Sequence, residues 1–218
     1  EGEMPAIVDM CCGSGAILAE VLRSAKPRYG LTSIHELENV VTGFDIDPLA
    51  VALAKTTWVI ALSDELNGAS APVTIPIFHA DSLFAITPVS ASIPLLGETD
   101  NITIELDGSS ISLPALLVQP ENKELFDRIV DWAYDEARDI GGNNPGIADA
   151  RAVIDAAGTS LSDEVVSAIA DATLALALRM KELADANRNG IWAFILRNTY
   201  RPGLLAGQFN GIVSNPPW

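Results

Sequence analysis

The sequence predicts an α/β fold built on a parallel sheet, with a large helical insertion, and three observations lead to this prediction. Short apolar segments alternate with segments of helical spacing over roughly the first 80 residues. A glycine-rich turn follows the first apolar segment, and acidic residues follow the next two. A long, mostly helical stretch then precedes a fourth apolar segment. Alternating strands and helices are typical of doubly wound parallel sheets.

The first part of the chain contains three predicted strands. They span residues 6–9, 40–45 and 73–78, and the helical segments between them span 15–24 and 48–66. The polar stretch 26–37 contains Pro27 and Gly30 and is interpreted as a loop or a broken helix. Pro48 suits the first turn of the second helix, where its missing N–H costs nothing.

The pattern changes after the third strand. A hairpin is predicted from residues 102–106 and 111–118, because Asp107-Gly108 is a hairpin turn signal. Helices are then predicted at 120–140, 147–157, 162–189 and 191–200, and a last strand at 209–214. The predicted domains are therefore a core of residues 1–88 and 207–218, and an insertion of residues 89–206 between the third and fourth core strands.

Composition excludes several classes of protein. Hydrophobic residues make up 49% of the 218 residues, which is enough for a sizeable core. There is no apolar run of about 18 residues and no signal-peptide pattern, so we expect neither a membrane span nor secretion. The adjacent Cys11 and Cys12 fit a reducing cytoplasm. His35 and His79 lie too far apart for a zinc motif, so no metal is predicted.

The net charge of −16 bears on the choice of partner. Asp and Glu outnumber Lys and Arg by 29 to 13, whereas a DNA-binding surface needs cations that displace counterions. Either the DNA-binding parts lie outside this chain, or the substrate is not a nucleic acid. An acidic soluble surface is the simplest interpretation of the charge itself.

The turn Asp9-Met10-Cys11-Cys12-Gly13-Ser14-Gly15 is the first candidate site. Glycine lacks a Cβ atom, so a backbone can approach a ligand closely there and adopt a positive φ. Dinucleotide folds use three glycines at such a turn, but Leu18 occupies the third position here. The pattern fits a cofactor without a pyrophosphate, with Asp9 facing its ammonium group, or a simple tight turn.

Acidic residues also follow the second and third predicted strands. Asp45 is placed to accept both ribose hydroxyls of a nucleoside cofactor, with Ile46 on one face of its adenine. Asp81 is placed to accept a hydrogen bond from the adenine amino group, with Leu83 packed on the ring. Alternatively, Asp45 or Asp47 caps the helix that follows, and Asp81 is an ordinary turn or cap residue.

The tetrapeptide Asn215-Pro216-Pro217-Trp218 is the most specific motif. An aromatic amine is a poor nucleophile because its lone pair is delocalised into the ring. The Asn215 side-chain oxygen and the Pro216 carbonyl can accept both N–H hydrogens and free that lone pair to attack a methyl group, and prolines fix the carbonyl direction. Trp218 offers a flat face for a flipped base. The alternative is a strand-ending Pro-Pro turn with a buried tryptophan.

A small basic and aromatic cluster precedes the last predicted strand. It consists of Trp192, Arg197, Asn198, Tyr200 and Arg201. Such a cluster can contact nucleic acid. We interpret it instead as a helix that packs on the core.

Together, in this order, the motifs resemble the N6-adenine DNA methyltransferases of restriction–modification systems, which use S-adenosylmethionine (SAM). The glycine turn is close to the Asp-Pro-x-Cys-Gly-Ser-Gly pattern of that family, with Met10 in place of proline. Phe209-Asn210-Gly211-Ile212 stands where the family has Phe-Asp-x-Ile, and Trp218 replaces Tyr or Phe. The resemblance covers roughly residues 1–85 and 207–218.

This resemblance implies a Rossmann-like class I SAM methyltransferase sheet that transfers a methyl group to N6 of adenine without a covalent enzyme intermediate. It implies catalytic roles for Asn215, Pro216, Pro217 and Trp218. It implies cofactor-binding roles for Asp9, Cys11, Gly13, Gly15, Asp45, Ile46, Asp81 and Leu83.

The resemblance also implies a fragment of a larger protein, because the family's upstream SAM-binding helix, later strands and target recognition domain have no counterpart here. DNA would then be contacted mostly outside this chain, and fused or separate restriction and specificity subunits would be partners. Two other functions remain open. One is the same chemistry on a protein glutamine or a ribosomal RNA guanine, and the other is a non-catalytic SAM-binding module.

Overall fold

The computed structural model describes residues 4–81, 101–139, 142–158, 161–188 and 191–215. The chain divides into two compact units. The first, here called the sheet unit, comprises residues 1–86 and 205–218, and the second, the helical unit, comprises residues 87–204.

The described residues form strands and α-helices in both units. The strands are β1 (Ile7–Asp9), β2 (Val41–Asp45), β3 (Ile77–His79), β4 (Asn101–Leu106), β5 (Ser109–Pro114) and β6 (Gly211–Ile212). The helices are α1 (Ala16–Tyr29), α2 (Ile34–Leu37), α3 (Pro48–Ala61), α4 (Ser63–Leu66), α5 (Lys123–Arg138), α6 (Ile147–Asp155), α7 (Asp163–Asp185) and α8 (Trp192–Leu204).

The sheet unit contains a four-stranded parallel sheet in the order β3-β2-β1-β6. Val8 lies at its centre, opposite Thr42 on one side and Ile212 on the other. Phe44 of β2 pairs with Phe78 of the outer strand β3. The prediction of an α/β fold with a parallel sheet is confirmed.

The order in which successive strands are added to the sheet switches sides at β1. Successive strands β1, β2 and β3 run outward on one side, and β6 lies on the other side of β1. In open α/β sheets, ligands bind outside the carboxyl ends of the strands at such a switch point. The space beyond the carboxyl ends of β1 and β6 is therefore where this sheet is expected to bind a ligand.

Helices α1 and α3 pack on the sheet through one apolar cluster. Leu18 and Leu22 of α1 and Trp58 of α3 are buried there with Val41 of β2. A smaller cluster forms around Val8, Phe44 and Ala80, with Leu205 and Phe209 packed against it. These two clusters hold the strand ends at fixed positions.

Helix α1 continues beyond its predicted end, so of the two interpretations of residues 26–37, a loop or a broken helix, the structure has the broken helix. Pro27 lies inside the last turn, where its missing N–H removes only one helical hydrogen bond. Gly30, with φ of 66°, ends the helix, and its N–H donates to the Lys26 carbonyl. The short α2 follows, with a capping box between Ser33 and Glu36.

Two other predicted elements of the sheet unit have different bounds. The helix predicted over 48–66 is interrupted at Leu62, which has φ of −120° and separates α3 from α4. Strand β3 begins only at Ile77. Pro76 has no N–H to donate to a strand ladder, although its carbonyl accepts from Gly43.

The helical unit consists of a β-hairpin and helices α5 to α8. Asp107 and Gly108, with φ of 51° and 79°, form the turn between β4 and β5. The Arg179 guanidinium of α7 donates to the Asp107 carbonyl at 3.0 Å, which fixes the hairpin turn to the helix. The core includes Leu106, Leu113, Phe126, Ile129 and Leu176.

The helix bounds of this unit differ modestly from the predicted ones. A 3₁₀ turn at Pro120–Asn122 precedes α5, and Ser162 caps α7 as predicted. Helix α8 extends through Pro202 to Leu204. The predicted helix ends at residues 140 and 189 lie outside the described residues. Within the described part of the chain, no helix combines the length and apolarity that a membrane span requires.

Candidate cofactor and catalytic site at the carboxyl edge of the sheet

The predicted site residues lie along one edge of the sheet because they follow parallel strands. Asp9 ends β1, Asp45 ends β2, and Asp81 lies two residues beyond β3. Asn215 follows β6 by three residues. Parallel strands place their carboxyl ends at one edge, so the sheet brings these four side chains to the same side of the unit.

The two glycines of the turn have different structural roles. Gly15 has φ of 77°, and a Cβ atom built there would lie 2.9 Å from the Ala54 Cα of α3. Gly13 has φ of 54°, and a Cβ atom there would meet nothing within 4 Å. Gly15 therefore lets α3 approach the turn, whereas Gly13 borders open space that a ligand can occupy.

The Asp45 carboxylate connects β2 to the glycine turn. Its Oδ2 accepts a hydrogen bond from the Gly13 N–H at 2.8 Å, and its Oδ1 accepts one from the Asp47 N–H at 2.9 Å. A carboxylate offers about four lone-pair sites, so both oxygens retain acceptor capacity. The Asp45 side chain is partly exposed, which makes that capacity accessible.

The helix cap is Asp47. Its Oδ1 accepts from the Leu49 N–H at 2.9 Å, and Pro48 occupies the first helical turn. Of the two acids proposed as alternatives for the cap, Asp45 is thus free of that role. Its hydrogen bonds instead shape the turn that would cradle a cofactor.

The tips of β2 and β3 are connected beyond the paired residues. The Ala80 N–H donates to the Asp45 carbonyl at 3.0 Å, and His79 Nε2 donates to the Ile46 carbonyl at 2.8 Å. Ile46 is 67% exposed, and Asp81 is exposed. Leu83, the other predicted adenine contact, lies outside the described residues.

Asp9 is buried beneath the turn, with 1% of its surface exposed. Its Oδ1 accepts from the Cys11 N–H and from the Ser214 hydroxyl, both at 3.1 Å. Its Oδ2 is buried without a hydrogen-bond partner. Burial raises the pKa of Asp9, the two hydrogen bonds lower it, and the nearby charge of Asp45 raises it further, with a net upward shift.

The two cysteines of the turn are in different environments. Cys12 is 6% exposed and packs in the core, where burial first and the charges of Asp45 and Asp9 next raise its pKa to about 12. Cys11 is partly exposed, and its Sγ lies 2.8 Å from the Ser214 Oγ. Cys12 is therefore structural, whereas Cys11 borders the candidate site.

Strand β6 delivers Asn215 next to the end of β1. The Asn210 side chain secures the start of this strand, since its Oδ1 accepts from the Ala6 N–H and its Nδ2 donates to the Met4 carbonyl. The Val213 N–H donates to the Val8 carbonyl at 2.9 Å. Asn215 is exposed two residues later. The remainder of the predicted catalytic motif, residues 216–218, lies outside the described residues.

Ser214 was not singled out in the sequence, because a lone serine has no diagnostic spacing. Asn210 was noted only as the residue in place of aspartate in the segment Phe209-Asn210-Gly211-Ile212, without a structural role. The available signal is positional, because both flank a strand that must pair beside β1 if the sheet is parallel. Ser214 in particular immediately precedes Asn215 and contacts Asp9.

The basic and aromatic cluster is mostly engaged in packing, as expected. Arg201 is 9% exposed and makes two 3.1 Å hydrogen bonds to the Asp127 carboxylate. Burial raises the pKa of Asp127, but hydrogen bonds and charge from Arg201 and Lys123 outweigh it and hold that pKa below its ordinary value. Tyr200 packs edge-on against Phe126.

Each of the two units has a cleft among its described residues. One, between α5 and α6 of the helical unit, is lined by four acidic side chains, by Arg128 and Trp132, and by three apolar residues of α6 and its end. The other lies beside α2 and α4, near the start of β2. Among the described residues, no group of three or more histidine, cysteine or acidic side chains is arranged to hold a metal ion.

No protein-family model, curated protein or solved structure matches the chain. The functional interpretation therefore depends on the chain's own motifs and on the geometry of the carboxyl edge. That edge combines an open glycine turn, an accessible carboxylate and an exposed asparagine.

Proposed function

We propose that this chain is the catalytic-domain part of a SAM-dependent methyltransferase that modifies the N6 amino group of adenine in DNA. The sheet is then the Rossmann-like sheet of a class I SAM methyltransferase. Residues 89–206 are the insertion between its third and fourth core strands. The enzyme acts in the cytoplasm within a restriction–modification system.

The observation that carries this proposal is the hydrogen bond between the Gly13 amide and the Asp45 carboxylate. It joins the two parts of the sequence that were expected to bind a nucleoside cofactor. It also leaves acceptor positions on both oxygens of Asp45. A carboxylate at the tip of the second strand of an α/β fold is suited to bind ribose hydroxyls.

The described residues fit SAM in three respects. Asp45 has acceptor capacity for the ribose, Ile46 presents an exposed apolar side chain for the adenine, and Gly13 borders open space for the amino-acid tail. Asp9 is buried and supports the turn through Cys11. When bound, SAM supplies an electrophilic methyl group.

Asn215 is the group proposed to activate the target amine. Its amide oxygen and the Pro216 carbonyl accept the two N–H hydrogens of the adenine N6, which localises the nitrogen lone pair. Trp218 stacks on the flipped base. Exposure of Asn215 beside the switch point supports this role, because a substrate can reach it there.

DNA binding is proposed to depend mostly on other regions or subunits. The net charge of −16 does not favour a phosphate-binding surface on this chain. In the described part of the basic and aromatic cluster, Arg197 and Arg201 are engaged with Asp131 and Asp127. Restriction and specificity subunits, fused or separate, would supply the cations.

A transfer assay tests the proposal. The natural protein is incubated with SAM carrying a labelled methyl group and with duplex DNA, ribosomal RNA and a glutamine-containing protein as separate acceptors. We expect label in DNA, recovered as N6-methyladenine after digestion to nucleosides. Label only in RNA or protein would replace the DNA proposal with the alternative acceptor. SAM binding without transfer to any of them would indicate a non-catalytic module.

A further inference from the structure

We infer that Ser214 is a positioning residue, whose hydroxyl bridges Asp9 and Cys11 and thereby fixes Asn215 relative to the glycine turn. The inference rests on the proposed function and extends it to a residue that no motif assigns. Ser214 does not touch the reacting atoms in this account. It acts through the backbone of the residue that follows it.

The bridge has a defined direction. The Ser214 O–H donates to the Asp9 Oδ1 at 3.1 Å. A hydroxyl carries one hydrogen, so the 2.8 Å contact with Cys11 has the thiol as donor and the Ser214 oxygen as acceptor. The Cys11 thiol therefore donates to the Ser214 hydroxyl, and that hydroxyl donates to the Asp9 carboxylate.

The anchor of this bridge is rigid. Asp9 is 1% exposed, and the same Oδ1 atom that binds Ser214 also accepts from the Cys11 N–H at 3.1 Å. Asp9 ends β1, which pairs with strands on both sides. A hydroxyl bound to this carboxylate is therefore held by the centre of the sheet.

The position of the bridge explains how it restrains Asn215. Strand β6 has only two residues, and the Val213 to Val8 backbone hydrogen bond lies two residues before Asn215. The Ser214 side chain adds a connection one residue before Asn215. Catalytic groups displaced by about 1 Å can lose about 10²-fold in rate. A side chain that restrains this turn therefore affects turnover more than cofactor binding.

Two variants and a matched control test this role in the natural protein. Ser214→Ala removes the bridge, Ser214→Thr retains a hydroxyl, and Ser24→Ala removes an exposed hydroxyl of α1 that contacts only Glu20 in the described structure. We expect Ser214→Ala to lower kcat for DNA methylation about tenfold or more, with the Kd for SAM within about twofold of wild type. Ser214→Thr should recover most of kcat, and Ser24→Ala should match wild type.

The reactivity of Cys11 provides a second readout that does not depend on transfer. Ser214→Ala removes the acceptor of the Cys11 thiol, so iodoacetamide should modify Cys11 several-fold faster, as followed by peptide mass spectrometry. Ser214→Thr and Ser24→Ala should react at the wild-type rate.

The outcomes separate this inference from the proposed function. An active wild type with unchanged kcat in Ser214→Ala overturns the positioning role. The positioning role is also overturned if Ser214→Ala changes KM and not kcat, and if SAM affinity and kcat/KM fall by the same factor. If wild type methylates no acceptor, the proposed function fails. The hydrogen-bond bridge is then tested only by the rate at which iodoacetamide modifies Cys11. Equal modification rates in wild type and Ser214→Ala would overturn the bridge, and a faster rate in Ser214→Ala would support it.

Discussion

The Asp45 carboxylate accepts a hydrogen bond from the Gly13 N–H at 2.8 Å, across 32 residues of sequence. This contact joins the tip of β2 to the turn that follows β1. It also orients the carboxylate, since the Asp47 N–H binds the other oxygen. One side chain thus shapes the turn and offers the acceptor that a ribose would use.

Replacing Asp45 should weaken SAM binding. Hydrogen bonds to a charged group are worth about 1.5–3 kcal/mol each, and about 1.4 kcal/mol corresponds to tenfold in Kd. We therefore expect Asp45→Ala to raise the Kd for SAM by about tenfold or more, measured by isothermal titration calorimetry. An unchanged Kd would show that Asp45 does not bind the ribose.

Asp47→Ala is the matched control for that experiment. Asp47 caps α3 through the Leu49 N–H, and loss of such a cap costs about 0.5–2 kcal/mol of stability. The free energy of unfolding in urea should fall by this amount, while the Kd for SAM of the folded protein stays at its wild-type value. A large loss of affinity here would mean that the helix start, and not Asp45 specifically, governs binding.

Gly13 and Gly15 should respond differently to alanine. Both have positive φ, which costs an L-residue roughly 1–2 kcal/mol. Gly15→Ala also places a Cβ 2.9 Å from the Ala54 Cα, and such overpacking adds about 1–3 kcal/mol. Urea unfolding should therefore show the larger loss of stability in Gly15→Ala. Equal losses would contradict the close approach of α3 to the turn.

The burial of Asp9 predicts a pH dependence of stability. Its pKa is raised above the ordinary value of 3.8, chiefly by burial, so its protonated form favours the folded state. This contribution is fully present below the unfolded pKa and is lost as the pH rises through the folded pKa. The free energy of unfolding of wild type, relative to Asp9→Asn, should therefore fall as pH rises above 3.8.

Urea titrations of both proteins from about pH 4 to about pH 7 measure this difference. The comparison cancels the groups that titrate identically in the two proteins. Parallel curves would mean that Asp9 has the same pKa in the folded and unfolded states.

Asn215→Ala should separate binding from transfer. The exposed Asn215 lies three residues beyond β6 and has no assigned contact with SAM, so the Kd for SAM should stay nearly unchanged. Methyl transfer should be abolished, because the target amine loses the acceptor that localises its lone pair. Intact transfer with a large loss of SAM affinity would show that Asn215 belongs to the cofactor site.

The convergence of the site was predictable from sequence because strand direction determines it. Once Asp9, Asp45 and Asn215 are placed after parallel strands, they must lie along the same edge of the sheet. Pro48 at the first helical position favours Asp47 over Asp45 as the helix cap, and the hydrogen bond from the Leu49 N–H to Asp47 agrees with it. The hydrogen bonds of Asp45 to the Gly13 and Asp47 amides were not predictable, because no sequence pattern records them.

Other details depended on local packing that sequence patterns do not record. Pro27 suggests a helix end, yet α1 continues to Tyr29 because a proline in the last turn removes only one hydrogen bond. Ser214 has no motif, and its role follows from contacts between residues about 200 apart in sequence. Long-range pairs of this kind become visible only when the strands are assembled.

The most direct test of the central claim is base-resolution detection of modified bases in a genome. The natural protein is expressed in a host that lacks adenine methylation, with Asn215→Ala as the control. The account predicts N6-methyladenine at one recurring short sequence for wild type and none for the variant. A genome free of N6-methyladenine, from folded wild-type protein that binds SAM, would contradict the assignment to DNA.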